Sequence, residues 1–200
     1  QAKASGARVF SLVNTPGSTL ARLSDRTLYL KCGPEIAVAA TKSFISQLAV
    51  FYLLSFAMIN RLEQGIHKLL PLADKIEENL KIHVSGLACL AQELRDKKDF
   101  YYIGRGINFA IAGESALKMK EVSYVHAEGM SAGELKHGTL ALIEPGTPVI
   151  ALCPRDYTFT ETLSNVQEAR ARGAVIIGVS DVPDPAFDIH IPIPAVDEIF

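Results

Sequence analysis

Two hundred residues, 48% hydrophobic and 21% charged, make an ordinary globular composition with room for one large domain or parts of two, and nothing in it marks disorder. A net charge of −2 leaves no electrostatic case for a nucleic-acid partner or an anionic membrane surface, so neither is expected. Cys32, Cys89 and Cys153 are too few and too scattered for a disulfide framework or a zinc knuckle, which points to a reducing, cytoplasmic setting.

The opening QAKASG reads as the last turn of a helix closing on Gly6. Arg8–Val13 reads as a short buried strand, NTPGST as the turn after it with Pro16 and Gly17 as punctuation, and Thr27–Lys31 as a second strand. GPEIAVAATKSF is then a Gly-Pro loop running into a helix expected to reach about Glu63. Its stretch Ala49–Ile59 is apolar nearly all round, which predicts burial against a sheet or a partner subunit. The run Leu48–Ile59, 12 residues interrupted by Ser55, is too short to cross a bilayer. Ile66 to about Lys98 is amphipathic, with Pro71 as the expected helix start, and reads as a helical connector.

A fresh unit begins at Phe100. FYYIGRG is a strand ending in Gly104-Arg105-Gly106, and a helix follows it. Pro148–Cys153, Val175–Ser180 and Ile189–Ile193 read as strands, with a helix over Thr162–Arg172 closed by Gly173. IPIPAVDEIF reads as a strand, a proline and an acidic pair opening one turn of helix. Apolar strands alternating with helices predict an α/β fold with doubly wound parallel sheets. Two related units, 1–63 and 99–200, joined by helices over 64–98, are expected, both truncated parts of a longer chain.

The chemistry concentrates in Ala110–Gly138, AIAGESALKMKEVSYVHAEGMSAGELKHG. On a helix of about 100° per residue, Glu114, Lys118 and Glu121 fall within about 60° of one another, a narrow charged stripe on an otherwise apolar surface. Such a stripe predicts a buried helix with one edge lining a cleft, and supplies groups for acid–base chemistry on an anionic or carbonyl substrate. An ordinary i,i+4 salt bridge with one further glutamate is the plainer reading of these three residues. A polar loop is expected after the helix, with His126, Glu128, Glu134, Lys136 and His137 threaded by Gly129, Gly133 and Gly138. Glu134-x-x-His137 has metal-helix spacing but lacks the second copy such a site needs. His126-x-Glu128 matches half of a zinc-deaminase pattern whose Pro-Cys-x-x-Cys partner is missing. Metal-free acid–base work, with Glu121 as carboxylate and His137 titrating near neutrality, is the remaining reading. The turn at Arg105 is a natural anion site at a helix N-terminus, though GxG alone is weak and a plain surface arginine stays open.

ALKMKEVSYVHAEGMSAGELKHGTLALI closely resembles the isomerase half of the glutamine–fructose-6-phosphate aminotransferase (glucosamine-6-phosphate synthase) family, built from two sugar isomerase (SIS) domains. EIAVAATKSF and NTPGSTL resemble segments of the first SIS domain, so the likeness runs along essentially the whole chain. The resemblance implies a sugar phosphate substrate, no metal and no organic cofactor. It implies that Glu121 moves a proton between C1 and C2 of the sugar. His137 would assist ring opening from the neighbouring subunit of a homodimer. Lys118 would steady the sugar oxygens or tune Glu121, with Glu114 behind it, while Val38 and Ala39 would touch the sugar through their main chain. Arg105 would help with phosphate. Ala40 stands where the family commonly has a sugar-contacting serine, which puts one hydroxyl contact in doubt; Thr139 and Met130 are milder departures. The resemblance also implies a phosphate loop before Gln1, a tail after Phe200 and a separate glutaminase domain, so the piece alone is expected to have little activity. Other SIS sugar-phosphate isomerases or deglycases, and a non-catalytic sugar-phosphate-binding SIS module, are the rivals.

Overall fold

The computed structural model describes residues 1–200, in two compact units, Gln1–Ala73 and Asp74–Phe200. In the first unit, β1 (Phe10–Val13) and β2 (Arg26–Tyr29) pair in parallel with Phe10 opposite Arg26. Between them α1 (Thr19–Leu23) is started by Ser18, whose hydroxyl accepts the Ala21 N–H at 3.3 Å. The opening turn is one of 3₁₀ helix over Lys3–Ser5, closed as expected by Gly6 in the left-handed conformation at φ 78°.

The long apolar helix α2 spans Lys42–Met58 and stops short of Glu63. Its end lies at Asn60, which turns left-handed (φ 56°) so that the Asn60 and Arg61 N–H groups return to Ala57 and Phe56. Asparagine tolerates that conformation where most residues resist it. The next helix starts directly, and its Gly65 packs so tightly that a Cβ there would lie 2.7 Å from the Phe56 ring. Burial of α2 does not occur within the chain. Ser43 is its one buried residue, while Phe51 and Met58 stay 56% and 84% exposed. An all-round apolar helix in so small a unit has more apolar surface than the unit can cover.

Helix α3 runs over Leu62–Leu94 with Pro71 inside it, so Pro71 does not start a helix. One proline removes a single backbone donor, and a 33-residue amphipathic helix absorbs that loss.

The second unit holds five parallel strands in the order β4-β3-β5-β6-β7. They are β3 (Asp99–Gly104), β4 (His126–Ser131), β5 (Pro148–Leu152), β6 (Val175–Ser180) and β7 (Ile189–Pro192). Helix α4 (Ile107–Ser123) connects β3 to β4, and α5 (Phe159–Ala171) connects β5 to β6. Alternation along the strands splits the core in two. Tyr101, Ile103, Val149, Ala151 and Ile176 face α5, with Val166 and Ala169. Phe100, Tyr102, Ile150, Leu152 and Ile177 face α4, with Ala112 and Ala116, and have Leu90 and Leu94 of α3 packed alongside. Helices on both faces of an all-parallel sheet make this the doubly wound α/β fold expected. At the β7 edge, α3 blocks the free backbone: Asn79 donates to the Pro192 carbonyl at 3.0 Å and Lys75 to that of Ala195 at 3.1 Å.

Two expectations are corrected here. The stretch after α4 is not a loop: His126–Ser131 is edge strand β4, in register with β3 from Asp99–His126 to Gly104–Ser131, and Ala132–His137 is a run of 3₁₀ helix. No helix forms near Asp197, where the chain makes only a turn.

Close approach of β3 to α4 depends on Gly104, where a Cβ would sit 2.5 Å from the Asn108 carbonyl oxygen. In the interior of the same helix, a Cβ at Gly113 would meet nothing within 4 Å. Gly104→Ala is therefore expected to lower stability by about 1–3 kcal/mol through overpacking, and Gly113→Ala to raise it by about 0.5–1 kcal/mol. Denaturant unfolding of the two variants checks both signs.

Candidate functional site

The strand order reverses between β3 and β5, the topological switch point where ligands of open α/β sheets bind, outside the carboxyl ends of the strands. A cleft of about 350 Å³ lies there, lined by Arg105, Gly106, Ser131, Tyr157, Thr158 and Glu161. Asp156 fixes one wall: its carboxylate accepts from Thr158 N (2.7 Å), Thr158 Oγ1 (2.8 Å) and Asn108 Nδ2 (2.8 Å). Gly106, at φ 55°, leaves room for the Tyr157 hydroxyl, which a Cβ would meet at 2.5 Å. Just beyond β5, Cys153 is 1% exposed and burial pushes its thiol up to about 12, so at neutral pH it is a packing group and not a nucleophile.

The charged stripe of α4 forms as its spacing requires. Lys118 Nζ lies 2.5 Å from Glu121 Oε2 and 3.3 Å from Glu114 Oε1, and all three side chains are only about a quarter exposed. Because α4 packs Ala112 and Ala116 against the sheet, its small-residue side is consumed by the core and the stripe is left off that side; none of its three residues lines the cleft beside Arg105. The expectation of a helix buried elsewhere all round is not met within the chain, since Val122 and Tyr124 are 70% and 92% exposed. The hydrogen bond to Glu121, followed by the pull of Glu114, raises the Lys118 ammonium above its ordinary range. Lys118 is thus protonated at neutral pH.

His137 ends the 3₁₀ run and is exposed. The run itself is anchored by Ala132 and Leu135, both fully buried in the cluster on the α5 face. His126 bonds Asp99 at 2.9 Å across the β3–β4 edge, a structural use of a residue whose sequence context also suggested chemistry. No three His, Cys, Asp or Glu side chains converge as a cation would need. Of the expected substrate contacts, Val38 (84% exposed) and Ala39 (5%) belong to the first unit, and Glu114 and Arg105 to the second. The structure brings Glu114, Lys118 and Glu121 into mutual contact, and seats Arg105 against Gly133 in the run that ends at His137.

Two polar residues escaped the sequence reading. Glu35 Oε1 accepts from Thr41 N (3.1 Å), Ser43 N (2.9 Å) and Ser43 Oγ (2.7 Å), and Glu35 Oε2 pairs with Lys42 at 3.1 Å. It thereby closes the loop that holds Val38 and Ala39 onto the start of α2, a capping task performed too far upstream to match any local cap motif. Asn165 sits 6% exposed in α5 and accepts both Nε and Nη2 of Arg105. A poor helix former in mid-helix was the available signal.

A family model described as the SIS domain matches residues 1–57 and 93–196. The chain is 46% identical over 208 aligned residues to the glutamine–fructose-6-phosphate aminotransferase [isomerizing] of Thermococcus kodakarensis, covering 99% of this chain and 34% of that protein. The protein of the same name from Pyrococcus horikoshii is 47% identical, with 98% and 34% covered. The chain therefore spans about a third of the length of these curated relatives. Among solved structures, the C-terminal domain of glucosamine-fructose-6-phosphate aminotransferase from Francisella tularensis superposes with a TM-score of 0.84 at 35% identity, covering 95% of this chain and 57% of that one.

The Glu35 hub predicts a pH effect of definite sign. The Ser43 N–H above all, then the Ser43 hydroxyl, Lys42 and the Thr41 N–H, hold the Glu35 carboxyl down to about 2, from the usual 4.5. Its stabilising share is complete above 4.5 and is lost as pH falls through about 2. The difference in unfolding temperature between wild type and Glu35→Gln is expected to be constant above pH 4.5 and to shrink as the pH approaches 2.

Proposed function

The chain belongs to the SIS domain family, and from that premise we propose that it is the isomerase part of a glutamine–fructose-6-phosphate aminotransferase. The proposed reaction forms glucosamine 6-phosphate from fructose 6-phosphate and glutamine-derived nitrogen. The observation that carries the reading is Lys118 held between Glu114 and Glu121 on α4 of a chain whose relatives bear that name.

In the proposed mechanism, the open-chain ketone at C2 condenses with ammonia and loses water to give an imine. Glu121 takes a proton from C1, the C1–H pair becomes the C1=C2 bond, and the C2=N pair moves onto the nitrogen, which takes up a proton to give an enolamine. The same carboxyl returns its proton to C2 while the C1 hydroxyl gives its own to solvent, replacing the one the nitrogen took up, which leaves the aldehyde of the 2-amino sugar. One base suffices because both carbons are adjacent and on one face of a planar intermediate. Lys118 holds the Glu121 carboxylate in place through its hydrogen bond and steadies the sugar oxygens during the step, with Glu114 as the counter-charge that holds Lys118. Val38 and Ala39 contribute main-chain contacts to the sugar. The chemistry is assigned to side chains, with no metal and no organic cofactor.

Ring opening is assigned to His137, whose imidazole is suited to moving a proton to and from the ring oxygen near neutral pH. In one chain the two acid–base groups leave elements packed on opposite faces of the sheet, α4 on one and the 3₁₀ run on the other. That separation supports a homodimer in which His137 completes the neighbouring subunit's site. A cytoplasmic enzyme is proposed; no helix is long and apolar enough to cross a membrane.

In the full chain, Glu121→Gln is expected to lower amino-sugar formation by about 10²–10⁴-fold with folding intact; near-normal formation would remove the proposed base. His137→Ala is expected to slow turnover of the cyclic sugar while an acyclic analogue partly escapes. Equal loss on both would count against ring opening.

A further inference from the structure

Two nitrogens of the Arg105 guanidinium are engaged within the protein. Its Nε and Nη2 both donate to Asn165 Oδ1, at 3.1 and 2.9 Å. Its plane lies against Gly133, where a Cβ would come within 3.1 Å of Nη2. From Asn165 the network continues along α5: Asn165 Nδ2 donates to Glu168 Oε2 at 3.4 Å, and Glu168 Oε1 pairs with Lys136 at 2.7 Å. Arg105 and Lys136 therefore grip the 3₁₀ run near its two ends, and α5 ties the grips together. Lys136 immediately precedes His137, and the chain turns away after it at Gly138, φ 145°. A 3₁₀ run has poor hydrogen-bond geometry of its own and takes its position from such outside contacts.

Resting on the function proposed above, we propose that Arg105 and Asn165 are positioning residues that hold the Gly133–Lys136 backbone so that His137 is aimed correctly. This gives Arg105 a different task from the phosphate contact suggested by its place in a Gly-x-Gly turn. Glu161 lines the same cleft, and a carboxylate there opposes a phosphate ligand. The fork geometry explains why an arginine serves here, since a lysine ammonium cannot span the amide oxygen and cover Gly133 together.

The test uses the full chain with Arg105→Gln and Asn165→Ala. Backbone amides of residues 133–138 are expected to exchange several-fold faster in both variants while the β5 and β6 amides are unchanged. For cyclic fructose 6-phosphate, kcat is expected to fall about tenfold, since small misplacements of a catalytic group cost up to about 10², with KM within about twofold. In a His137→Ala background neither variant should cost anything further. Unchanged exchange, a raised KM with preserved kcat, or losses that add to that of His137→Ala would each overturn the proposal. Asn165 is buried, so Arg105→Lys, which keeps the charge and loses the fork, provides a second variant. It is expected to show the same loss, and full activity in it would also overturn the proposal. If His137→Ala itself leaves turnover unchanged, the proposed function is what fails, and the exchange rates at 133–138 still decide whether the clamp exists.

Discussion

One ammonium between two carboxylates is the interaction on which the chemistry proposed for the second unit depends. Glu114 and Glu121 lie two helical turns apart on a side of α4 that is three-quarters covered, and without Lys118 at 3.3 and 2.5 Å their charges would oppose each other in a partly dry setting. Exposed ion pairs of this spacing contribute little to stability. The proposed value of this one is positional: it holds a carboxylate beside a charge able to follow the developing oxyanion of a sugar.

Delivery of that triplet is a packing problem, solved by small residues. Gly104 lets the start of α4 come down onto the end of β3, and the fully buried Ala112 and Ala116 let the helix lie flat on the sheet. On the other face the larger Leu135, Val166 and Ile176 fill the space beneath α5 and pin the 3₁₀ run. The two proposed acid–base groups thus come from elements on the two faces of one sheet, a division that follows because right-handed crossovers change face where the winding direction reverses, between β3 and β5.

Much of this was legible from the chain because local signals agreed with tertiary demand. VIIGVS is apolar, β-branched and bounded by turns, and β6 occupies those same residues. The 3.6-residue period placed Glu114, Lys118 and Glu121 together without any knowledge of the fold. Strand β4 was hidden because HAEGMS mixes buried Ala127 and Met130 with exposed His126 and Glu128 at an edge, where charge is tolerated and alternation is imperfect. The end of α2 was hidden because an asparagine, and not a glycine or proline, makes the left-handed turn. Pro71 misled for the opposite reason, a strong local breaker outvoted by thirty-three residues of amphipathic pattern. The partners of Arg105 and Glu35 lie 60 and up to 8 residues away, joined by tertiary geometry that no short motif encodes.

The Glu121 carboxylate is proposed to act on adjacent carbons of an opened hexose. A crystal structure of the full chain with bound glucosamine 6-phosphate tests it most directly. Glu121 oxygens are expected within about 3–3.5 Å of both C1 and C2, with the Lys118 ammonium beside them. A sugar bound with that carboxylate turned away into bulk water would contradict it.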